Sequence, residues 1–467
     1  MSSFGAGFLG SSMPRFLPRP TFLHATLAGS VALALLSLAV LPAAPTYDPW
    51  AWLIWGRELW SADLSTAEGP AFKPLPVFVC AVLAPLADGA PVAWVVIART
   101  GAIAAVLLGG ALVWRLAGGV GRFVTGGDER SHTPAVAAAL AALAVLCTAG
   151  FVRLSAAGSS EGLLLALALG AMLAALDRRW RLALGLLALC CLLRVEAWPF
   201  ALVAVVWRWR AAPSGERAAL AAGAVVIPAL WFGPEWLGSG DVLRSGSRAL
   251  APNPGQPALA DIPAWASLRQ AAPLAFIPVA LGVLLLRDRL ALLPAAVGAA
   301  WVLLVAVMAQ AGFSGEPRYA LPGVALIGVS GAVGLAGLTV RPAWAVAVAG
   351  VVLVALVPRL DGLARDRAAL AYQADLQADL ARVITAAGGP KALARCGRPV
   401  TGPYRGTLVA WHLEVEKQRV GFPPDGGDVV LASALTAGAP VEPPVTGPVA
   451  PATWRIETRC APPQRTS

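Results

Sequence analysis

Charge is what this sequence has least of. Charged residues make up 13% of the 467 residues and hydrophobic ones 58%, against about 25% charged in an ordinary soluble chain. A deficit of that size in a chain this long excludes a water-soluble globule and points to lipid as the solvent. Lysine is nearly missing: it occurs only at 73, 391 and 417, so the net charge of +10 is carried by arginine. In a soluble protein such a balance would suggest nucleic acid. Here the arginines stand between apolar runs, where their first effect is to set orientation. The six cysteines show no zinc or redox spacing. Cys80, Cys147, Cys190 and Cys191 sit in apolar runs as small hydrophobes, and Cys396 and Cys460 in a polar C-terminal part. Internal repeats, heptads and low-complexity tracts are absent, and with them the inverted-repeat signature of many transporters.

What is present is a series of apolar runs long enough to cross about 30 Å of hydrocarbon. A first span at about 22–43 follows a basic, acid-free N-terminus. It reads as an uncleaved anchor, with a signal peptide cleaved near LPAAP as the competing reading. Positive-inside then puts the N-terminus in the cytoplasm and residue 48 outside. The segment 74–87 is apolar but short. If it spans, the loop carrying Arg115, Arg122 and Arg130 falls outside; if it does not, that loop falls inside and 45–90 is one long outer loop. The second choice is expected. Spans then fall at 91–114, 134–151, 160–176, 181–194, 196–209, 217–233, 272–286, 290–311, 319–339 and 342–358, with every arginine cluster of the membrane part on the inner side. The stretch 181–209 is taken as two short spans, because one span would put Arg208 and Arg210 outside.

Acids and bases alternate along the outer ends. Tyr47–Trp60, YDPWAWLIWGRELW, holds Asp48 and the pair Arg57 and Glu58; Lys73 follows in FKPLP, and Arg153, Glu161, Arg194, Glu196, Arg318 and Tyr319 lie at other span ends. Singly, each reads as an interfacial residue facing water, and Asp48 equally well as a helix cap. Together on one side they favour a shared cavity, since charge at membrane depth is costly and marks sites. Such a cavity suits transfer of a sugar from a lipid phosphate: a carboxylate as base for the acceptor hydroxyl, and cations for the departing phosphate.

The order Asp48, Arg57-Glu58, then Phe72-Lys73-Pro74-Leu75 resembles the first extracytoplasmic loop of the GT-C glycosyltransferases. The similarity is closest to the protein O-mannosyltransferase and lipid A aminoarabinose transferase branch. Glu161 in SSEGLLLAL, Arg194 in LLRVEAWPF and Arg318-Tyr319 in GEPRYALPG match its later outer-loop features. The resemblance implies Asp48 as base, with Glu161 near it or near the acceptor. By the same resemblance Lys73, Arg318, Tyr319 and Arg194 would hold the donor phosphate, and Arg57 and Glu58 would be supporting. It implies no metal and no cofactor beyond a polyprenyl-phosphate sugar as donor. Pro49 stands where the family often has a second acid, and Glu161 where it often has Asp.

The expected fold is an all-α polytopic membrane protein of about eleven transmembrane helices with a long extracytoplasmic first loop. A small α+β extracytoplasmic C-terminal domain follows, giving domains 1–358 and 359–467. In the tail an amphipathic helix at 360–387 precedes β-like runs at 407–415 and 428–431, and Cys396 and Cys460 are placed where a disulfide is chemically allowed. The expected function is inverting glycosyl transfer, of a hexose or a pentose, to a glycan, lipid or protein of the cell envelope. A transporter or flippase of a lipid-linked substrate and an inactive scaffold stand as the alternatives.

Overall fold

The computed structural model describes residues 20–124, 133–271, 277–286, 288–339, 341–402, 404–422, 427–433 and 453–458. The helices follow the apolar runs. They are α1 (Pro20–Ser37), α2 (Tyr47–Trp60), α3 (Pro74–Leu83), α4 (Ala90–Val124), α5 (Thr133–Leu146), α6 (Phe151–Ala156), α7 (Glu161–Leu176), α8 (Trp180–Leu193) and α9 (Trp198–Trp209). Next come α10 (Ser214–Ser239), α11 (Arg244–Ala249), α12 (Pro263–Ala271), α13 (Ile277–Leu284), α14 (Arg289–Gln310), α15 (Pro317–Leu338) and α16 (Pro342–Ala386). Helices long and apolar enough to cross a membrane cover Pro74–Ala117, Ser214–Ser239, Arg289–Gln310 and Pro317–Leu338, with shorter apolar helices beside them.

α15 is buried along most of its length, and its sequence explains how. Small residues let neighbours approach closely where lipid supplies no hydrophobic drive between helices. At the α14–α15 contact, a β-carbon on Gly298 would strike the Gly323 carbonyl, and one on Gly323 would meet the Gly298 carbonyl at 2.6 Å. Around α15 one core joins α4, α5 and α7 through Leu112, Val113, Leu165, Leu169, Leu326 and Val329.

Some boundaries follow the expected breaks and others depart from the sequence pattern. The run 74–87 holds α3, whose ten residues rise only about 15 Å, and the chain kinks at Ala87 (φ 46°) before α4. The run 134–151 is interrupted: α5 stops at Leu146, and Gly150, at φ 77°, starts α6. The stretch 181–209 is two helices broken at the extended residue Arg194, folded back so that Trp180 meets Trp207 at 4.9 Å. The loop expected at 234–271 is largely helical, because α10 continues to Ser239 and α11 and α12 follow.

The tail contains α17 (Pro390–Cys396), α18 (Gly406–His412) and a sheet of β1 (Pro399–Thr401), β2 (Val429–Ser433) and β3 (Trp454–Thr458). Its order is β1-β2-β3, with the first pair parallel and the second antiparallel. The run 428–431 is strand β2, but 407–415, expected to be β-like, is mostly α18. Its apolar residues Leu408, Val409 and Ala410 are buried in one cluster with Trp50, Ala51 and Leu53 of α2, and that tertiary burial overrides local β-propensity. The amphipathic helix is real but not separate: α16 runs unbroken through residue 358, burying Leu370, Leu376 and Leu380. Leu363 on the same expected face stays exposed. Cys396 is disulfide-bonded; Cys460 lies outside the described residues.

Candidate active site

The site begins with how α2 is held. Its apolar residues Trp52, Leu53, Ile54 and Trp55 are almost fully buried, so the helix is enclosed rather than laid on a surface. Gly56 makes the α2–α3 contact possible: a β-carbon there would lie 2.5 Å from the Cys80 carbonyl carbon. The connection between these helices is strapped from outside. Arg244 donates to the Pro70 and Gly69 carbonyls at 2.7 and 2.8 Å, and Ser245 Oγ accepts from Phe72 N at 2.7 Å. Phe72 packs on Trp55 with ring centroids 5.6 Å apart. The strap delivers the next residue, Lys73, to the first turn of α2.

There Lys73 Nζ lies 3.7 Å from Asp48 Oδ2 and 4.9 Å above the Trp52 ring. Arg318, in the first turn of α15, donates from Nη1 to the same Asp48 Oδ2 at 2.9 Å. Two cations from distant chain segments thus share one carboxylate oxygen. Asp48 does not cap its helix: Thr46 holds the N-cap position, and Asp48 turns sideways into the ion cluster. Among the described residues its Oδ1 carries no hydrogen bond.

The second half of the cluster comes from the start of α7 and the break between α8 and α9. Arg194 Nη2 donates to Glu161 Oε1 at 2.5 Å, and Nη1 lies 3.5 Å from Glu196. Tyr319 joins the halves. Its ring lies 4.3 Å from the Arg194 guanidinium carbon and 5.2 Å from that of Arg318. Glu316 takes the remaining face of Arg318 through Nε at 2.5 Å. Asp48, Lys73, Glu161, Arg194 and Glu196 are each at most 8% exposed, so these charges interact with little screening. Among the described residues Glu161 Oε2 is buried without a hydrogen-bond partner.

Electrostatics separates the roles. Burial alone would raise the Asp48 pKa, but Arg318 and Lys73 outweigh it and hold the carboxyl below its ordinary value. Lys73 is moved down to about 8 by burial, with Arg194 adding to the effect and Asp48 opposing it. A lysine so tuned sits near its switching point at neutral pH. Among the described residues no group of three His, Cys, Asp or Glu side chains has the geometry to hold a metal.

Arg57 and Glu58 lie at the other end of α2. Arg57 donates to the Trp411 and Val415 carbonyls at 3.3 and 3.1 Å and stacks 5.1 Å from the Trp411 ring, which ties α2 to the tail. Glu58 accepts from Ser65 N at 2.9 Å; burial pushes it up to about 8, partly offset by that bond. Arg99 is one of the buried cations that escaped the sequence reading. Arg99, on α4, donates to Ser37 Oγ and to the Leu41, Pro42 and Ala156 carbonyls at 2.8–3.2 Å, tying the end of α1 to α4 and α6. Its signal was a lone arginine inside an apolar span.

No protein-family model matches the sequence, and no curated protein matches it by sequence. The fold does have a counterpart. The crystal structure of ArnT from Cupriavidus metallidurans, solved bound to undecaprenyl phosphate, superposes with a TM-score of 0.50 at 16% identity, covering 88% of this chain and 93% of that one. The resemblance to the aminoarabinose transferase branch drawn from the short motifs is therefore met at the level of fold.

Proposed function

We propose that the protein is an inverting membrane glycosyltransferase that moves a sugar from a polyprenyl phosphate to a hydroxyl of a cell-envelope glycan, lipid or protein. The observation that carries this reading is Asp48 Oδ2 held between Lys73 and Arg318 at one end of an ArnT-like helical bundle. That ArnT was solved with undecaprenyl phosphate supports a polyprenyl phosphate as the donor's carrier. The reaction is placed on the extracytoplasmic side, with the N-terminus in the cytoplasm and the tail outside, and needs no cofactor beyond the lipid-linked sugar.

In this mechanism the donor phosphate displaces Asp48 from its two cations. Arginine presents two parallel donors to phosphate oxygens, and lysine adds a point charge. Released from both, the Asp48 carboxylate regains basicity and accepts the proton of the acceptor hydroxyl. The acceptor oxygen forms its bond to the anomeric carbon as the bond from that carbon to the phosphate oxygen breaks. The electron pair leaves with the phosphate, where Lys73 and Arg318 neutralise the added charge. One in-line displacement inverts the centre. Arg194 keeps Tyr319 and Glu161 in place, and the free Glu161 Oε2 accepts a hydrogen bond from the sugar or the acceptor.

Asp48→Asn, assayed in membranes supplied with radiolabelled polyprenyl-phosphate sugars, is expected to lower transfer by about 10²–10⁴, the range of general-base catalysis. Unchanged transfer would remove Asp48 from this role.

A further inference from the structure

The tail carries a buried cation that has no counter-ion among the described residues. Arg405 is 4% exposed, and among those residues both its Nη1 and Nη2 are buried without a hydrogen-bond partner. The Tyr372 hydroxyl of α16, itself on a residue 7% exposed, is likewise unpartnered, and it lies close enough for the guanidinium to act on its ionisation. The Arg405 guanidinium carbon stands 5.9 Å from the centre of the Trp454 ring, which is fixed by its own indole N–H donating to the Leu376 carbonyl at 2.9 Å. Asp379 of α16 is already engaged by Trp454 N and by Arg382.

An uncompensated charge taken out of water costs several kcal/mol, and an orphaned buried donor adds to that. The local backbone is also unfavourable. Tyr404 adopts φ +63°, a left-handed conformation rare for an aromatic residue. That conformation sets the Tyr404 ring against Tyr47 at 6.5 Å, with Arg405 buried beside it. Two residues further on, Thr407 Oγ1 donates to the Tyr47 carbonyl at 3.2 Å. The unpaired guanidinium therefore lies at the seam between the tail and the residue that precedes Asp48.

We infer that Arg405 and Tyr372 form an oxyanion-binding site at this seam that holds the acceptor, and that the acceptor is a glycan bearing a carboxylate or a phosphate. The two free Nη groups form a planar fork matched to two oxygens of such an anion, and the phenol supplies a third donor. Anion binding stands on these residues alone; the assignment of the anion to the acceptor rests on the transfer reaction proposed above.

The test uses the full-length protein in detergent, with glucuronate and glucose 6-phosphate as probes and glucose as the neutral control. The thermal unfolding midpoint is expected to rise saturably with one or both anions and not with glucose, as it does for any ligand that binds only the folded state. A response to only one anion identifies which charged group the site takes. Arg405→Gln should abolish the rise. Tyr372→Phe should raise the half-saturating concentration roughly tenfold, the loss of one charge-assisted hydrogen bond. If Arg405→Gln does not fold, Arg405→Lys, which keeps the charge and loses the fork, carries the comparison and should bind more weakly. A wild-type protein indifferent to both anions, or a variant at Arg405 that responds like wild type, overturns the inference. Asp48→Asn separates the two proposals. If it responds to anions and still transfers sugar at the wild-type rate, Asp48 is not the base and this site stands; a wild type that responds to anions but transfers no sugar sinks the transferase reading and leaves this site standing. Asp48-dependent transfer in a protein with no anion response does the opposite.

Discussion

The position of Lys73 makes a pH profile the sharpest test of its role. Burial brings its ammonium down to about 8 from 10.5, so about one site in ten is still charged one pH unit above that value, and tenfold fewer at each unit beyond. If the ammonium holds the donor phosphate, kcat/KM for the donor should be flat up to about pH 8 and then fall about tenfold per unit, because kcat/KM reports ionisations of the free enzyme. Lys73→Arg should remove that limb, since a guanidinium stays charged throughout. Its plateau should be lower, because a larger head must fit beside Trp52, a strain of about 1–3 kcal/mol. The assay is initial-rate transfer from a radiolabelled polyprenyl-phosphate sugar below its KM, in detergent, from about pH 6.5 to about pH 9.5 at constant ionic strength. A wild-type profile still flat past about pH 9, or the same alkaline limb in Lys73→Arg, refutes the assignment. The contribution of Lys73 to stability should move the other way over the same window. The folded pKa lies below the unfolded one, so the unfolded chain binds more protons at this site between them, and this contribution rises with pH from about 8 to 10.5. An alkaline loss of activity accompanied by a wild-type unfolding midpoint that rises relative to that of Lys73→Arg is a signature that general alkaline unfolding cannot imitate.

Three further substitutions probe the frame. Gly56→Ala drives a methyl into the Cys80 backbone; it should cost about 1–3 kcal/mol, read as a lower unfolding midpoint, and reduce transfer by shifting Asp48 relative to Lys73. Glu161→Gln leaves Arg194 with only Glu196 at 3.5 Å. Breaking a buried pair costs about 3–5 kcal/mol, and denaturant unfolding should show it, whereas a change under about 0.5 kcal/mol would mean the pair is effectively solvated. Arg57→Ala removes two hydrogen bonds to the tail, about 1.5–3 kcal/mol for a charged donor, and should speed proteolytic release of the tail while the membrane part stays intact.

The sequence made the membrane-spanning α fold legible because apolar length is a local property. It made the cluster partly legible for a related reason: each charge lay at the end of an apolar run, where its cost marks it. What it could not convey was pairing. Arg318 and Asp48 are 270 positions apart, and nothing near either residue names the other. Asp48 read equally well as a helix cap, and only the arrival of Arg318 and Lys73 separates the two. The misreadings have one physical source. Residues 407–415 have strand-like composition but are mostly helical because α2 offers them an apolar face, and residues 235–239 continue α10 across Pro234. Tertiary burial, absent from local pattern, decided both. Arg405 was passed over because an arginine in a polar tail is ordinary until its burial is known.

The unbroken course of α16 makes the tail a phase-locked attachment. A helix of 45 residues is about 68 Å of nearly rigid rod, advancing 1.5 Å and turning about 100° with each residue. The tail is joined to the membrane part by that rod and tied to it again by Gln377, in the last third of the rod, on the Pro45 carbonyl, by Thr407 on Tyr47 and by Arg57 on Trp411. Adding or deleting one residue near 360–366 leaves both halves of the rod helical but swings everything beyond it through about a quarter turn. Those three contacts then cannot re-form together. In this stretch of the gene a point substitution is a minor event, while a single-codon insertion disconnects the tail from the helix that bears Asp48. Three or four added residues nearly restore the phase but still push the tail about 4.5–6 Å along the rod, so the contacts constrain the length of this stretch as well as its rotation.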